Sequence, residues 1–373
     1  MTWRSQVSSF RRPVPLILIA GMLVFSLAAT FQDMASRIQH EIERLQKALK
    51  EKPVTDPNFA EVGSMVDAAL QASARASETR RFYSSLESLG QAEGLVGGVR
   101  AIVDRTPLLK GGLPAFESEW GAASLRLTRF DKEAHGRKWE STPIAIRALA
   151  ESAQGKAIPL LDGARGFASA KQPSDGLFYM GEAEGQAEFA QFCASLNPPA
   201  VKSKFPLRSY VPELQALQAK TNAAFQPPRS IELHPRFIAL NSTIKLAEEL
   251  DSTRFYAGAL YQYLEATRHY GMLDAPPLDA ESQSRLKKTL AAAQEKLAAS
   301  AGDNSLAQLF LQRAESQTTH ADGSAPTADE WRSAQVILDQ VLPAYEAARQ
   351  PASPLQRAPG KTVEITLVRW PYT

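Results

Sequence analysis

Cysteine is all but missing from this chain: 373 residues carry one, Cys193. A single thiol excludes an intrachain disulfide and any zinc site built from clustered thiolates. An excess of one charge is missing too, with 42 Lys+Arg against 40 Asp+Glu and a formal charge of +2. That balance, and the lack of any basic run interleaved with aromatics, speaks against a nucleic-acid partner. The 5 histidines show no H-E-x-x-H or comparable metal-ligand spacing. No serine stands in G-x-S-x-G, and the glycine-rich GLVGGVR at 94–100 lacks the Gly-Lys-Ser/Thr of a phosphate loop. The expectation is therefore a chain with no cofactor, no metal and no catalytic constellation. The length is ample for a hydrophobic core without covalent staples and suits about two folded units or one elongated one.

What is present begins at the amino terminus. Arg4, Arg11 and Arg12 precede residues 13–31, PVPLILIAGMLVFSLAATF, which hold no charged side chain. As a helix this run covers about 28 Å, close to the thickness of a bilayer's hydrocarbon core. The basic residues before it and Asp33 after it predict a signal anchor with the amino end inside and the bulk of the chain extracytoplasmic. The alternative is a cleaved signal peptide with Ser26-Leu27-Ala28 as its processing site. The three arginines account for more than the whole net charge, so the excess is a topology signal. Met34, Ile38, Ile42, Leu45 and Leu49 then recur at helical spacing, which predicts an amphipathic stalk over 32–52 able to pair with a second copy.

Six segments follow from the punctuation: a cytoplasmic tail 1–12, the anchor 13–31, the stalk 32–52, a helical region 58–196, a second helical region 200–350, and a Pro-rich tether with a terminal strand, 351–373. A long helix is predicted from Asn58 to about Leu89, then glycine-rich loops around a short helix over 96–104. Further helices are predicted near 115–131, 142–154 and 176–196. Diprolines at 198–199, 227–228 and 276–277 cut the second half into blocks. Helices are predicted there near 212–225, 236–250, 254–270, 279–300, 304–316 and 328–349, the last opened by the capping pair Thr327 and Glu330. No period extends across several blocks. In the tail, Val363, Ile365 and Leu367 alternate with polar residues ahead of Trp370. That predicts a strand which pairs near 158–180 or adds to another protein's sheet edge.

The stretch 245–271, KLAEELDSTRFYAGALYQYLEATRHYG, resembles a tetratricopeptide repeat, with the resemblance confined to about residues 240–271 in one copy. The small and large positions of that hairpin fall on Leu246, Ala247, Leu250, Tyr256, Ala259, Tyr263 and Ala266. Small alanines let two antiparallel helices approach while tyrosines fill the space beside them. Thr243 stands where the family often has tryptophan, and Gly271 where it often has proline. The resemblance implies peptide or protein binding, and such repeats normally need stacked neighbours.

Two shorter features were weighed for chemistry. AFESEW at 115–120 and GARGF at 163–167 resemble pieces of lytic transglycosylases, which would make Glu117 the general acid of a peptidoglycan hydrolase. The following Met-Gln pair and a later Ala-Tyr-Asn element are missing. Glu265 and His269 read as a surface pair, and Cys193 as a buried small hydrophobe. In the cluster Glu182, Glu184 and Glu188, the last two share an i,i+4 face ordinary on a solvated helix side. The expected fold class is mainly α, with an N-terminal transmembrane helix, an extracytoplasmic helical bundle or hairpin array, and a short C-terminal β-strand. The expected function is a scaffold or assembly subunit at the bacterial inner membrane. Its partners would be the lipid bilayer through 13–31, envelope proteins, and a second copy through the stalk. A peptidoglycan hydrolase and a periplasmic ligand-binding protein are the alternatives. The latter requires a deep polar cleft, which sequence does not reveal.

Overall fold

The computed structural model describes residues 16–51, 59–139, 141–201, 204–225, 233–320 and 322–350, with side chains from Gln32 onward except Ala60. Thirteen α-helices occupy these segments. The first six are α1 (Leu16–Glu51), α2 (Ala60–Glu78), α3 (Phe82–Arg105), α4 (Gly112–His135), α5 (Ile144–Ser169) and α6 (Pro173–Ser195). They are followed by α7 (Val211–Ala224), α8 (His234–Ser252), α9 (Tyr256–Gly271), α10 (Ala280–Ala299) and α11 (Ser305–Thr318). α12 (Ala328–Val336) continues through a π-helical turn at Ile337–Val341 into α13 (Leu342–Ala348). The capping box at Thr327 and Glu330 is formed, each side chain accepting from the other's backbone N–H.

The mainly helical expectation holds, and two of its parts are corrected. Among the described residues no helix is long and apolar enough to cross a membrane, so the transmembrane element of the expected fold class is not borne out. No strand is present among them either, and the proposed internal partner near 158–180 is helical, in α5 and α6. The tail with Val363, Ile365, Leu367 and Trp370 lies outside the described residues, as do residues 1–15 and the side chains of 16–31. The stripe expected to line a stalk is spent inside the molecule: Met34, Ile38, Ile42 and Leu45 are buried in the same core as residues up to Ala348. Arg44 of α1 also reaches Glu93 of α3 with two hydrogen bonds, at 2.9 and 3.0 Å.

The segment 58–89 is two helices. Arg80 interrupts it at φ 59°, in the left-handed region. Two further non-glycine residues share that conformation, Lys171 at 64° and Arg254 at 66°. Each sits in the turn of a helical hairpin: α2–α3, α5–α6 and α8–α9. The following N–H donates in each case to a carbonyl five residues back, Arg81 to Ala76, Gln172 to Phe167 and Phe255 to Leu250. This is the Schellman bond that closes a helix on a left-handed residue. The hairpins therefore share one turn, although no sequence period announces it.

The glycine-rich stretch read as loops is the second half of α3. Its glycines are there because α6 crosses too close for side chains. A Cβ on Gly97 would overlap the Gly181 carbonyl oxygen and lie 3.1 Å from the Gly185 Cα. A Cβ on Gly185 would strike the Glu93 carbonyl. With backbones this close, α3 and α6 pack as one layer; α5 lies along α6, α11 touches α3 and α5, and α9 rests on α5. A smaller cluster around Phe116, Leu161 and Met180 joins α4 to α5 and α6.

Candidate functional site

Around the α3–α6 pair, α2, α5, α9 and α11 line a cavity of about 550 Å³ that is partly open to solvent. Its wall is unusual for the interior of a helical array because it carries six charged side chains. These are Glu87 from α3, Lys156 from α5, Glu182 from α6, Glu265 and Arg268 from α9, and Arg313 from α11. Burying charge is costly unless it is paired, so the pairing decides what the cavity can do.

Four of the six satisfy one another. The Arg313 guanidinium takes Glu265 Oε1 at 2.5 Å on one side and both oxygens of Glu87 on the other, its Nε lying 3.1 Å from Glu87 Oε2. Arg268 donates twice to Glu265 Oε2, at 3.1 Å each. Tyr261 O–H donates to Glu87 Oε1 at 2.5 Å. Burial alone would push the Glu265 carboxyl up; Arg313 and Arg268 outweigh it and hold the carboxyl at about 2. Burial raises the Tyr261 phenol, reinforced by the Glu87 carboxylate. His269 lies beside the network and is lowered by burial and by Arg268. Two carboxylates thus oppose two guanidiniums, and the group is neutral.

The remaining two do not fit that closure. Lys156 and Glu182 form no hydrogen bond or ion pair among the described residues, although each feels the other's charge. Lys156 is exposed by area yet surrounded by protein, because it stands in a concave wall. Enclosure lowers its ammonium, against the pull of Glu265, Glu87 and Glu182. Burial raises the Glu182 carboxyl, against Lys156. Neutral polar groups complete the lining. Ser152 Oγ accepts from Gln262 at 2.6 Å, and Gln186 donates to the Gly90 carbonyl at 3.2 Å. Gln317 Oε1 is buried without a donor. Met65, Leu95, Leu149 and Phe189 supply the apolar part.

A second concavity, about 600 Å³, lies between the α2–α3 turn and α10–α11. Its charged residues, Arg81 and Glu315, are already paired at 2.9 Å, and Arg80 is exposed. The chemistry therefore concentrates in the first cavity.

The residues singled out in the sequence fall elsewhere. Ala247, Leu250, Ala259 and Ala266 are buried in the α8–α9 hairpin, while Leu246, Tyr256 and Tyr263 are half-buried beside them. Leu246 and Leu250 press on α5, where a Cβ on Gly155 would lie 2.5 Å from Leu250 Cδ2. Glu117 lies on α4, paired with Arg165 at 3.0 Å, and lines neither cavity. Cys193 is buried, which pushes its thiol up. Glu184 takes Arg105 at 2.6 Å and also Arg126, and Glu188 is exposed. Glu265, read as one half of a surface pair, and Glu182 of the acidic cluster both line the cavity. Neither carries a local sign of it, since the partners come from helices far apart in sequence.

Among the described residues no three His, Cys, Asp or Glu side chains are grouped to hold a metal ion. Comparison of the chain with models of protein families, with curated proteins and with solved structures finds no match in any of the three. The functional reading therefore rests on the chemistry of the cavity.

Proposed function

We propose that this protein is a non-enzymatic binding protein that holds a small polar molecule in the cavity between α3, α5, α6, α9 and α11. The observation that carries the reading is the pair Lys156 and Glu182, two opposite charges without contact partners on the wall of a cavity of about 550 Å³. Small-molecule sites typically span about 300–1,000 Å³ and combine an apolar wall with a few convergent polar groups. A thermal-shift screen of the purified full chain against small polar metabolites is the test. Ligands that raise the melting temperature of the wild type and not of Lys156→Met support the reading. A screen in which no compound distinguishes the two would sink it.

The amino terminus supports a place on the envelope side of a bacterial inner membrane, through the basic start and the uncharged run that follows. Protease accessibility of the chain in spheroplasts, with the outer membrane removed, tests this; full protection would count against it.

A second reading, a scaffold for envelope proteins, is favoured by the three hairpins with a common turn and by the repeat-like α8–α9 pair. Ile238 on α8 is 54% exposed, an apolar group available to a partner helix. In-cell crosslinking from Ile238 separates the two readings: a reproducible protein partner favours the scaffold, and its absence leaves the ligand-binding reading.

A further inference from the structure

The charge arrangement in the cavity goes further than "small and polar". We propose that its ligand is a zwitterion of the free amino acid type, with its carboxylate on Lys156 and its ammonium on Glu182. This rests on the cavity being a ligand site, and sharpens what the site recognises.

Because Glu87, Glu265, Arg268 and Arg313 neutralise one another through direct bonds, they offer no net charge to a ligand. Lys156 and Glu182 remain, one cation and one carboxylate, close enough to influence each other and too far apart to pair. A molecule with both charges on one carbon supplies a counter-charge to each and leaves the cavity neutral. An anion alone would satisfy Lys156 and leave half-buried Glu182 beside a like charge. A cation alone would do the reverse. The discrimination follows from charge complementarity on a concave wall where both groups keep part of their exposure, so a like charge placed beside either one is disfavoured.

Two further features fit the same ligand. Ser88, Gln91 and Gln186 add neutral polar groups to the lining, which suit the remaining hydrogen-bonding positions of an ammonium and a carboxylate. Met65, Leu95, Leu149 and Phe189 form an apolar wall suited to an aliphatic or aromatic side chain.

Titration calorimetry on the full-length chain tests this with wild-type protein alone. L-leucine and L-phenylalanine each carry both charges; N-acetyl-L-leucine keeps only the carboxylate, and L-leucinamide only the ammonium. The expected result is binding of the zwitterions at least about threefold tighter than either analogue, the factor set by one ion pair at a partly exposed site. Lys156→Met should bring leucine down to the level of leucinamide, and Glu182→Gln down to the level of N-acetyl-leucine. Circular dichroism checks that both variants keep the helical fold, and the wild-type comparison stands without them. Equal binding of zwitterion and analogues overturns the proposal. So does the failure of every amino acid while dicarboxylates or polyols in the same panel bind, a result that leaves the cavity as a ligand site. If nothing in the panel binds, both readings fall.

Discussion

Arg313 on α11 and Glu265 on α9 meet at 2.5 Å in the wall of the cavity, and through Glu87 the same guanidinium reaches α3. One side chain thus ties three helices that are distant in sequence. Desolvation sets the value of such a tie. The pair itself adds little over an apolar replacement, but breaking it leaves charges stranded.

Arg313→Met is therefore expected to destabilise the fold by about 3 kcal/mol, because Glu87 loses its cation and Glu265 one of its two. Urea unfolding followed by circular dichroism measures it. Glu265 also fixes a pH dependence. Its folded value of about 2 lies below the ordinary 4.5, so its contribution is fully present above about pH 4.5 and is lost as pH falls towards about 2. In Glu265→Gln the acid limb of the stability curve should flatten over that window.

The α1–α3 contact behaves in the opposite sense. Glu93 is 2% exposed, and burial together with the neighbouring Glu41 raises its carboxyl against the opposing Arg44. A raised carboxyl favours folding at low pH and loses that advantage as pH climbs above 4.5. Arg44→Ala should lower stability by about 1–3 kcal/mol at neutral pH, the penalty for a buried group stripped of its partner. Adding Glu93→Gln to Arg44→Ala should recover most of that loss. A double-mutant cycle in urea gives the coupling, and additivity would refute the assignment.

The α3–α6 crossing predicts a change of sign between two glycines. Gly181→Ala should destabilise by about 1–3 kcal/mol or more, since its Cβ meets the Gly97 carbonyl and a backbone cannot step aside. Gly163, inside α5, has nothing within 4 Å of the same atom. Gly163→Ala should stabilise by about 0.5–1 kcal/mol through the lost flexibility of the unfolded chain. Thermal melts of the two variants decide it.

At the three left-handed turns, glycine should be the better residue. Arg80→Gly, Lys171→Gly and Arg254→Gly each remove a strain of about 1–2 kcal/mol and forfeit part of that gain to glycine's extra unfolded freedom. A net gain of about 0.5–1 kcal/mol per site is expected from these terms. Arg254→Val should move the other way, because a β-branched residue resists positive φ. Equal effects at all three sites would show that the turns are energetically equivalent.

Much of the helical plan was legible because helix formation is a local event. The Thr327 and Glu330 cap lies three residues apart, and the diproline breaks act on their immediate neighbours. The predicted helices at 279–300 and 304–316 match α10 and α11 to within two residues at each end. Where the reading failed, a distant partner had overruled local propensity. Gly94, Gly97 and Gly98 look like loop residues until α6 is laid across them. The helix predicted over 58–89 looked continuous because arginine carries no turn signal, yet Arg80 adopts the glycine conformation.

The cavity was hidden for the same reason. Glu265 reads as a surface group and Glu182 as one member of an acidic cluster, and nothing near them in the chain names Arg313 or Lys156. By itself the sequence determined where many of the helices start and stop, that one cysteine allows no intrachain disulfide, and that its charge is balanced outside the first 31 residues. Each of these follows from neighbours a few positions apart or from composition. Only the tertiary structure decided that the 34–45 stripe is core, that glycines pave a helix crossing, and that Lys156 and Glu182 line one cavity. Those outcomes depend on which faces meet, and burial acquires its energy only when surfaces far apart in sequence exclude water together.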